Sequence, residues 1–135
     1  MNGKTFFDTN IIIYLYADHE REKQQISKNL IDNAYRCVIS TQTLNELSNV
    51  LIKKWRMSFD LIKQIQNDIR NISDIMYITE KTIDLAIELC VKYNYSYYDC
   101  LMLASALEID CDIVYTEDMS NGQIINDKLT IINPY

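Results

Sequence analysis

The chain has 135 residues, 48% of them apolar, and a formal net charge of −6. That length fits one domain, and no apolar run approaches the ~20 residues of a membrane-spanning helix. The acidic balance argues against a basic, phosphate-tracking surface; one histidine, His19, and four cysteines without a C-x-x-C pair argue against a Cys/His zinc site or a histidine-based triad.

The first stretch, TFFDTNIIIYLY from Thr5 to Tyr16, reads as a short buried strand that ends in Asp8 and turns at once into an apolar helix. No basic region, apolar core and cleavage site precede it, so a cytoplasmic protein with free thiols at Cys37, Cys90, Cys100 and Cys111 is expected. Glu20 to Tyr35 reads as a helix with Ile26, Leu30, Ile31 and Ala34 on one face. Cys37 to Ser40 is a buried strand, and Ser40 or Thr41 caps a helix from Gln42 to about Lys54 with a stripe of Leu44, Leu47, Leu51 and Trp55. Ser58 caps the next helix, through Ile72, with Phe59, Ile62, Ile65, Ile69 and Ile72 as its apolar face. A strand over Ile75 to Ile78 follows, then a helix from Thr79 to Lys92 in which Ile83, Ala86, Ile87, Cys90 and Val91 recur at helical spacing. Ser96 starts a helix whose interior, CLMLASAL, is nearly all apolar and therefore central. Ile113 to Tyr115 is a strand, Thr116 to Gly122 a loop or short helical turn, and Leu129 to Ile132 a last strand. Strands alternating with helices predict a mainly parallel sheet covered on both faces, a three-layer α/β/α sandwich forming one unit over residues 1–135.

Four acidic positions stand out against this order. Asp8 ends the first strand, Glu46 sits in the second turn after the second strand, Asp99 lies in the first turn of the central helix, and Asp118 follows the Ile113–Tyr115 strand. Ends of parallel strands and starts of the helices after them share one edge of a sheet, where ligands bind. Each residue also has an ordinary reading. Asp8 is a helix cap, Glu46 a solvated residue, Asp99 the fourth member of a capping box with Ser96, and Asp118 a turn residue. Together they describe a site for a hard cation with oxygen ligands, since gathered carboxylates repel one another until a cation neutralises them. Two bound divalent ions would bring the net charge to about −2.

FFDTNIIIYL, TQTLNEL, YSYYDCLMLASAL and VYTEDMSNGQ, with IINPY at the end, occur in an order that resembles PIN domains over essentially the whole chain, and among them the VapC-type toxins of toxin–antitoxin pairs. The resemblance implies an Mg²⁺- or Mn²⁺-dependent endoribonuclease with one or two ions, held by a cognate antitoxin and prone to homodimerise. It maps the acidic quartet onto Asp8, Glu46, Asp99 and Asp118, with Glu117 as the alternative to the last. It places Asn10 and Thr116 beside the metal, with Thr9 and Ser96 as further candidates. The helices Glu20–Tyr35 and Ser58–Ile72 are the expected partner surfaces.

Two other features admit two readings each. Tyr93, Tyr95, Tyr97 and Tyr98 either stack on bases or pack as loop cover. Lys53, Lys54 and Arg56 around Trp55 either touch phosphates or complement a helix C-terminus. A catalytically silent domain of the same fold is one rival function. A receiver-type signalling domain is another, but it lacks a convincing phosphoacceptor and lysine here. A D-x-D-x-T phosphatase is disfavoured because Asn10 stands at the second Asp position.

Overall fold

The structure is a computed structural model describing residues 3–135, so the first two residues of the expected 1–135 unit lie outside the described residues. In chain order the elements are β1 (Lys4–Phe7), α1 (Thr9–Tyr14), α2 (Arg21–Asn33), β2 (Arg36–Ser40), α3 (Thr41–Asn49), α4 (Phe59–Ile72) and β3 (Asp74–Met76). They continue with α5 (Glu80–Lys92), α6 (Tyr97–Glu108), β4 (Cys111–Tyr115), β5 (Ile124–Ile125) and β6 (Leu129–Ile132). The sheet order is β3-β2-β1-β4-β6-β5. All neighbours are parallel except β5, which runs antiparallel to β6.

Side chains alternate across a strand, and β1 shows the consequence. Phe6 and Phe7 are both fully buried but belong to different cores. Phe6 packs with Val38, Val114 and Ile131 under α5 and α6. Phe7 packs with Ile39, Ile11, Ile12 and Leu47 under α1, α3 and α4. The expected three-layer sandwich is therefore the architecture observed. α6 fits its apolar composition: Cys100 through Leu107 are all buried. Among the described residues no helix is long and apolar enough to cross a membrane.

Several local expectations are corrected. α3 ends at Asn49, and the chain continues as a π-helical turn over Val50–Lys54 that keeps Leu51 buried. On α4 the core face is Ile62, Ile65 and Ile69, while Phe59 and Ile72, at the helix ends, are exposed. α5 turns a different face inward than expected: Thr82, Ala86 and Leu89 are buried, and Ile83, Ile87 and Val91 face solvent. Periodicity identifies an apolar stripe but not which of two stripes meets the core. The β5–β6 hairpin was not anticipated. It turns through Asn126 and Asp127, both at positive φ (50° and 57°), a conformation these residues tolerate better than most.

Candidate metal centre

The chain leaves β1 toward β2 on one side, while β4 lies on its other side. This is the switch point at which open α/β sheets hold ligands beyond the carboxyl ends of their strands. Asp8 follows β1 and its backbone N–H donates to the Tyr115 carbonyl at 3.0 Å, so the ends of β1 and β4 are locked side by side. Asp8 is also the N-cap of α1, its Oδ1 accepting from the Thr9 N–H at 2.7 Å. Its ordinary capping reading is thus true, and is compatible with a second role for the other oxygen.

Asp8, Glu46, Asp99 and Asp118 line one cleft of about 320 Å³, together with Thr9, Asn10, Gln42 and Tyr98. Glu46 arrives from α3, whose start is set by a capping box between Ser40 and Thr43. Asp99 arrives from the first turn of α6, where its N–H donates to the Ser96 hydroxyl at 3.2 Å. Ser96 is therefore a helix cap. A larger groove of about 760 Å³ lies near the opposite ends of β1 and β4, bordered by Lys4, Asn29, Tyr35 and Asp112. It gathers no set of carboxylates and is not the site.

Hydroxyls and amides bind the acidic groups to one another. The buried Thr116 donates its hydroxyl proton to Asp8 Oδ2 at 2.7 Å and accepts from the Asp118 N–H at 3.2 Å. Thr9 donates its hydroxyl to Glu46 Oε1 at 2.5 Å. Asn10 Nδ2 donates to Asp118 Oδ2 at 3.3 Å. Burial raises the Asp8 carboxyl from 3.8 to about 6, against the lowering effect of its Thr116 and Thr9 hydrogen bonds; Asp118 and Glu46 add to the rise. Asp118 is raised as well, by burial and then by Glu117 and Asp99. Among the described residues neither carboxylate forms a salt bridge; Lys23 lowers Asp118 only slightly against these effects.

The donor set suits a hard divalent cation, because four carboxylates face the cleft beside hydroxyl and amide groups, and neither cysteine nor histidine lines it. The acidic groups line the walls without closing on one point. Among the described residues no three acidic, cysteine or histidine side chains are grouped closely enough to cage an ion as they stand. Carboxylates brought together without a cation repel one another, and a bound cation favours their closer approach.

Glu117 is turned elsewhere. Its carboxylate accepts from the Tyr14 hydroxyl and from Lys23 Nζ at 2.9 Å. Burial pushes its carboxyl up, but those two partners outweigh it and hold it below its ordinary value. Lys23 also lies over the rings of Tyr14 and Tyr135, at 4.9 and 5.2 Å from their centroids. Sequence reasoning missed this cluster, since its members are spread from residue 14 to residue 135. The four tyrosines divide. The Tyr93 hydroxyl accepts from Asn126 N–H at 2.9 Å and the Tyr95 hydroxyl from Ser120 N–H at 3.1 Å, so both clamp the segment after Asp118. Tyr97 and Tyr98 are exposed, their rings edge to face at 5.3 Å. Lys53, Lys54 and Arg56 are exposed beside the half-buried Trp55, the first two in the last turn before it.

A family model described as PIN domain matches residues 5–120. A sequence comparison with curated proteins gave no match. Among solved structures, the chain is similar to a toxin–antitoxin complex from Klebsiella pneumoniae, with TM-score 0.73, 21% identity, and coverage of 97% of this chain and 98% of that one. It is similar to VapC20 of Mycobacterium tuberculosis, described as a sarcin–ricin loop cleaving toxin, with TM-score 0.67, 17% identity, and coverage of 84% and 91%. It is also similar to VapBC2 from Rickettsia felis, solved with a DNA fragment from its promoter, with TM-score 0.66, 19% identity, and coverage of 96% and 99%. At these identities the likeness is one of fold.

Proposed function

Because the chain belongs to the PIN domain family, matched over residues 5–120, we propose that it is a metal-dependent endoribonuclease and the toxin of a toxin–antitoxin pair. The observation that carries the reading is the meeting of Asp8, Glu46, Asp99 and Asp118 in one cleft at the β1/β4 switch point. A metal-dependent nuclease needs such an anionic cleft to bind its divalent ion, however unsuited it looks to RNA on its own.

Asp8 and Asp99 would hold Mg²⁺ or Mn²⁺, one ion or two, with Glu46 and Asp118 binding directly or through water. Bound there, the metal supplies a water of lowered pKa and neutralises charge on the phosphate. The protein's own part is positioning. Thr116 orients Asp8 and the start of the Asp118 loop with one hydroxyl. Thr9 and Asn10, on the first turn of α1, hold Glu46 and Asp118. Asn10, which lines the cleft and keeps a second amide hydrogen, stands where a donor can meet water or phosphate; Thr116, fully buried with its hydroxyl proton on Asp8, acts only through that carboxylate. Hydrolysis by in-line attack would leave a 5′-phosphate and a 3′-hydroxyl.

A cytoplasmic antitoxin and a second copy of the chain complete the proposal. The similar structure described as a toxin–antitoxin complex supports the first. Exposed Phe59 and Leu61 on α4, and Ile83, Ile87 and Val91 on α5, are apolar surfaces that partners would cover.

The test is incubation of total cellular RNA with purified, antitoxin-free protein in Mg²⁺, Mn²⁺ or EDTA, beside the Asp8→Asn and Asp99→Asn variants. Discrete metal-dependent fragments that both variants fail to make are expected. Equal cleavage by a variant, or in EDTA, overturns the reading.

A further inference from the structure

Three of the 13 lysines and arginines, Lys53, Lys54 and Arg56, fall within four positions of a chain whose net charge is −6, and no acid lies between Glu46 and Asp60. All three are exposed, and among the described residues none forms a salt bridge, whereas Lys23, Arg36 and Lys128 each pair with an acid. One helix face joins this cluster to the acidic cleft. Glu46, Asn49 and Val50 line the cleft, at the three- and four-residue spacing that sets side chains on one face. The chain then widens into the π-helical turn, with the Trp55 N–H on the Val50 carbonyl at 3.1 Å. Bonding of that i→i+5 kind stacks residues four and five apart, so Lys53 and Lys54 continue the face on which Asn49 stands. Glu46 and Lys53 are roughly 10 Å apart along the axis.

Lysines in a last turn complement the helix dipole, which accounts for Lys53 and Lys54 but not for Arg56. Arg56 lies past the turn at φ 49°, the left-handed position after a helix that glycine fills most easily. An arginine there carries a steric cost that glycine would avoid, and residues held in such conformations gather at sites that clamp ligands. We propose that Lys53, Lys54 and Arg56 hold backbone phosphates of the RNA strand as it leaves the metal cleft over Asn49. The inference rests on the proposed nuclease reading and adds the residues that position the substrate outside the metal site. A strand along this face meets a carboxylate facing the metal, then an amide, then three cations. Contacts of this kind set the register of the strand without reading its bases.

The test is binding of a fluorescent single-stranded oligoribonucleotide to the full chain at fixed Ca²⁺ across a salt series, with circular dichroism confirming the fold of each variant. Replacing all three residues by Gln should shallow the slope of log K against log salt by about 2, at ~0.7 per lost phosphate contact, or about 100-fold in affinity between 1 M and 0.1 M salt. The charge-keeping triple variant, Lys53→Arg, Lys54→Arg and Arg56→Lys, should retain the wild-type slope. Arg56→Gly separates binding from structure. It should melt higher than wild type, because glycine accepts the left-handed backbone, and yet bind RNA about fivefold more weakly at 0.1 M salt. A wild-type slope in the Gln variant overturns the proposal, and so does an Arg56→Gly variant that binds RNA as the wild type does. A defect of the Gln variant confined to a purified antitoxin would make the patch a protein site and overturns it too. A slope that depends on the three residues, without cleavage of total RNA in Mg²⁺ or Mn²⁺, would uphold the phosphate track and refute the nuclease reading, so the two fail separately.

Discussion

The Asp8→Asn variant should be more stable than the wild type when metal is withheld, although it removes a central group of the site. Asp8 titrates near 3.8 in the unfolded chain and near 6 in the folded one. Between those values the folded state binds more protons than the unfolded state, so stability falls as pH rises from about 4 to about 6. Below about pH 4 both states are protonated and the penalty vanishes; near neutrality it is fully present. At ~1.36 kcal/mol per pKa unit, the upward displacement of Asp8 corresponds to ~3 kcal/mol at neutral pH. Asn keeps an oxygen for the Thr9 N–H and carries no charge, and the Thr116 hydroxyl can rotate to accept from it. The variant should therefore melt higher than wild type in EDTA near neutrality, by roughly 10 °C for a domain of this size. The gain should shrink to near zero at about pH 4. Saturating Mg²⁺ should reverse the order, because it stabilises the protein that binds it. Thermal melts by circular dichroism across this pH range, with EDTA or Mg²⁺, read all three effects. A variant that melts lower than wild type in EDTA at neutral pH would refute the electrostatic account of the cleft.

Three further substitutions probe the parts around the quartet. Thr116→Val removes two hydrogen bonds from a buried position and should lower RNA cleavage roughly 10- to 100-fold, as loss of ligand-orienting groups does; steady-state kinetics with matched circular dichroism spectra check it. Glu117→Gln should leave cleavage near the wild-type rate and cost under ~1 kcal/mol, since its partner Lys23 is partly solvated. A loss as large as that of Asp118→Asn would put Glu117 among the ligands. Leu103→Ala, at a fully buried position of α6, should cost ~2–5 kcal/mol in urea denaturation by leaving a cavity.

The parts of the fold legible in the sequence were those set by local chemistry. Ser40, Ser58, Thr79 and Ser96 all accept from a backbone N–H at the helix starts they were expected to cap. The strand ends fell close to where apolar runs stop, and that was enough to bring Asp8, Glu46, Asp99 and Asp118 to one edge. What stayed hidden depends on packing. α5 carries two apolar stripes, and only the neighbouring α6 decides that Leu89, not Val91, is covered. The π-helical turn after Asn49 leaves no mark in the sequence, where Leu44, Leu47 and Leu51 keep ordinary α-helical spacing. Glu117 and Asp118 are adjacent in sequence and chemically alike. What separates them is Lys23 and Tyr14, distant residues whose meeting with Glu117 is a property of the folded chain.

That separation bears on how the site works. Backbone geometry delivers two consecutive acids at the end of β4, and they point to different surroundings. Glu117 is neutralised by a lysine and serves to tie the loop to α1 and α2. Asp118 faces the other acids, with an amide from Asn10 as its close donor and a raised carboxyl pKa. A fold selected only for stability would pair both. Pairing a lysine with Glu117 while leaving Asp8 and Asp118 without a salt bridge keeps negative charge in the cleft. The same division explains why the net charge of −6 is a poor guide to partners here. The charge that matters is local, and a cation bound in the cleft would turn a surface that repels phosphate into one that holds it.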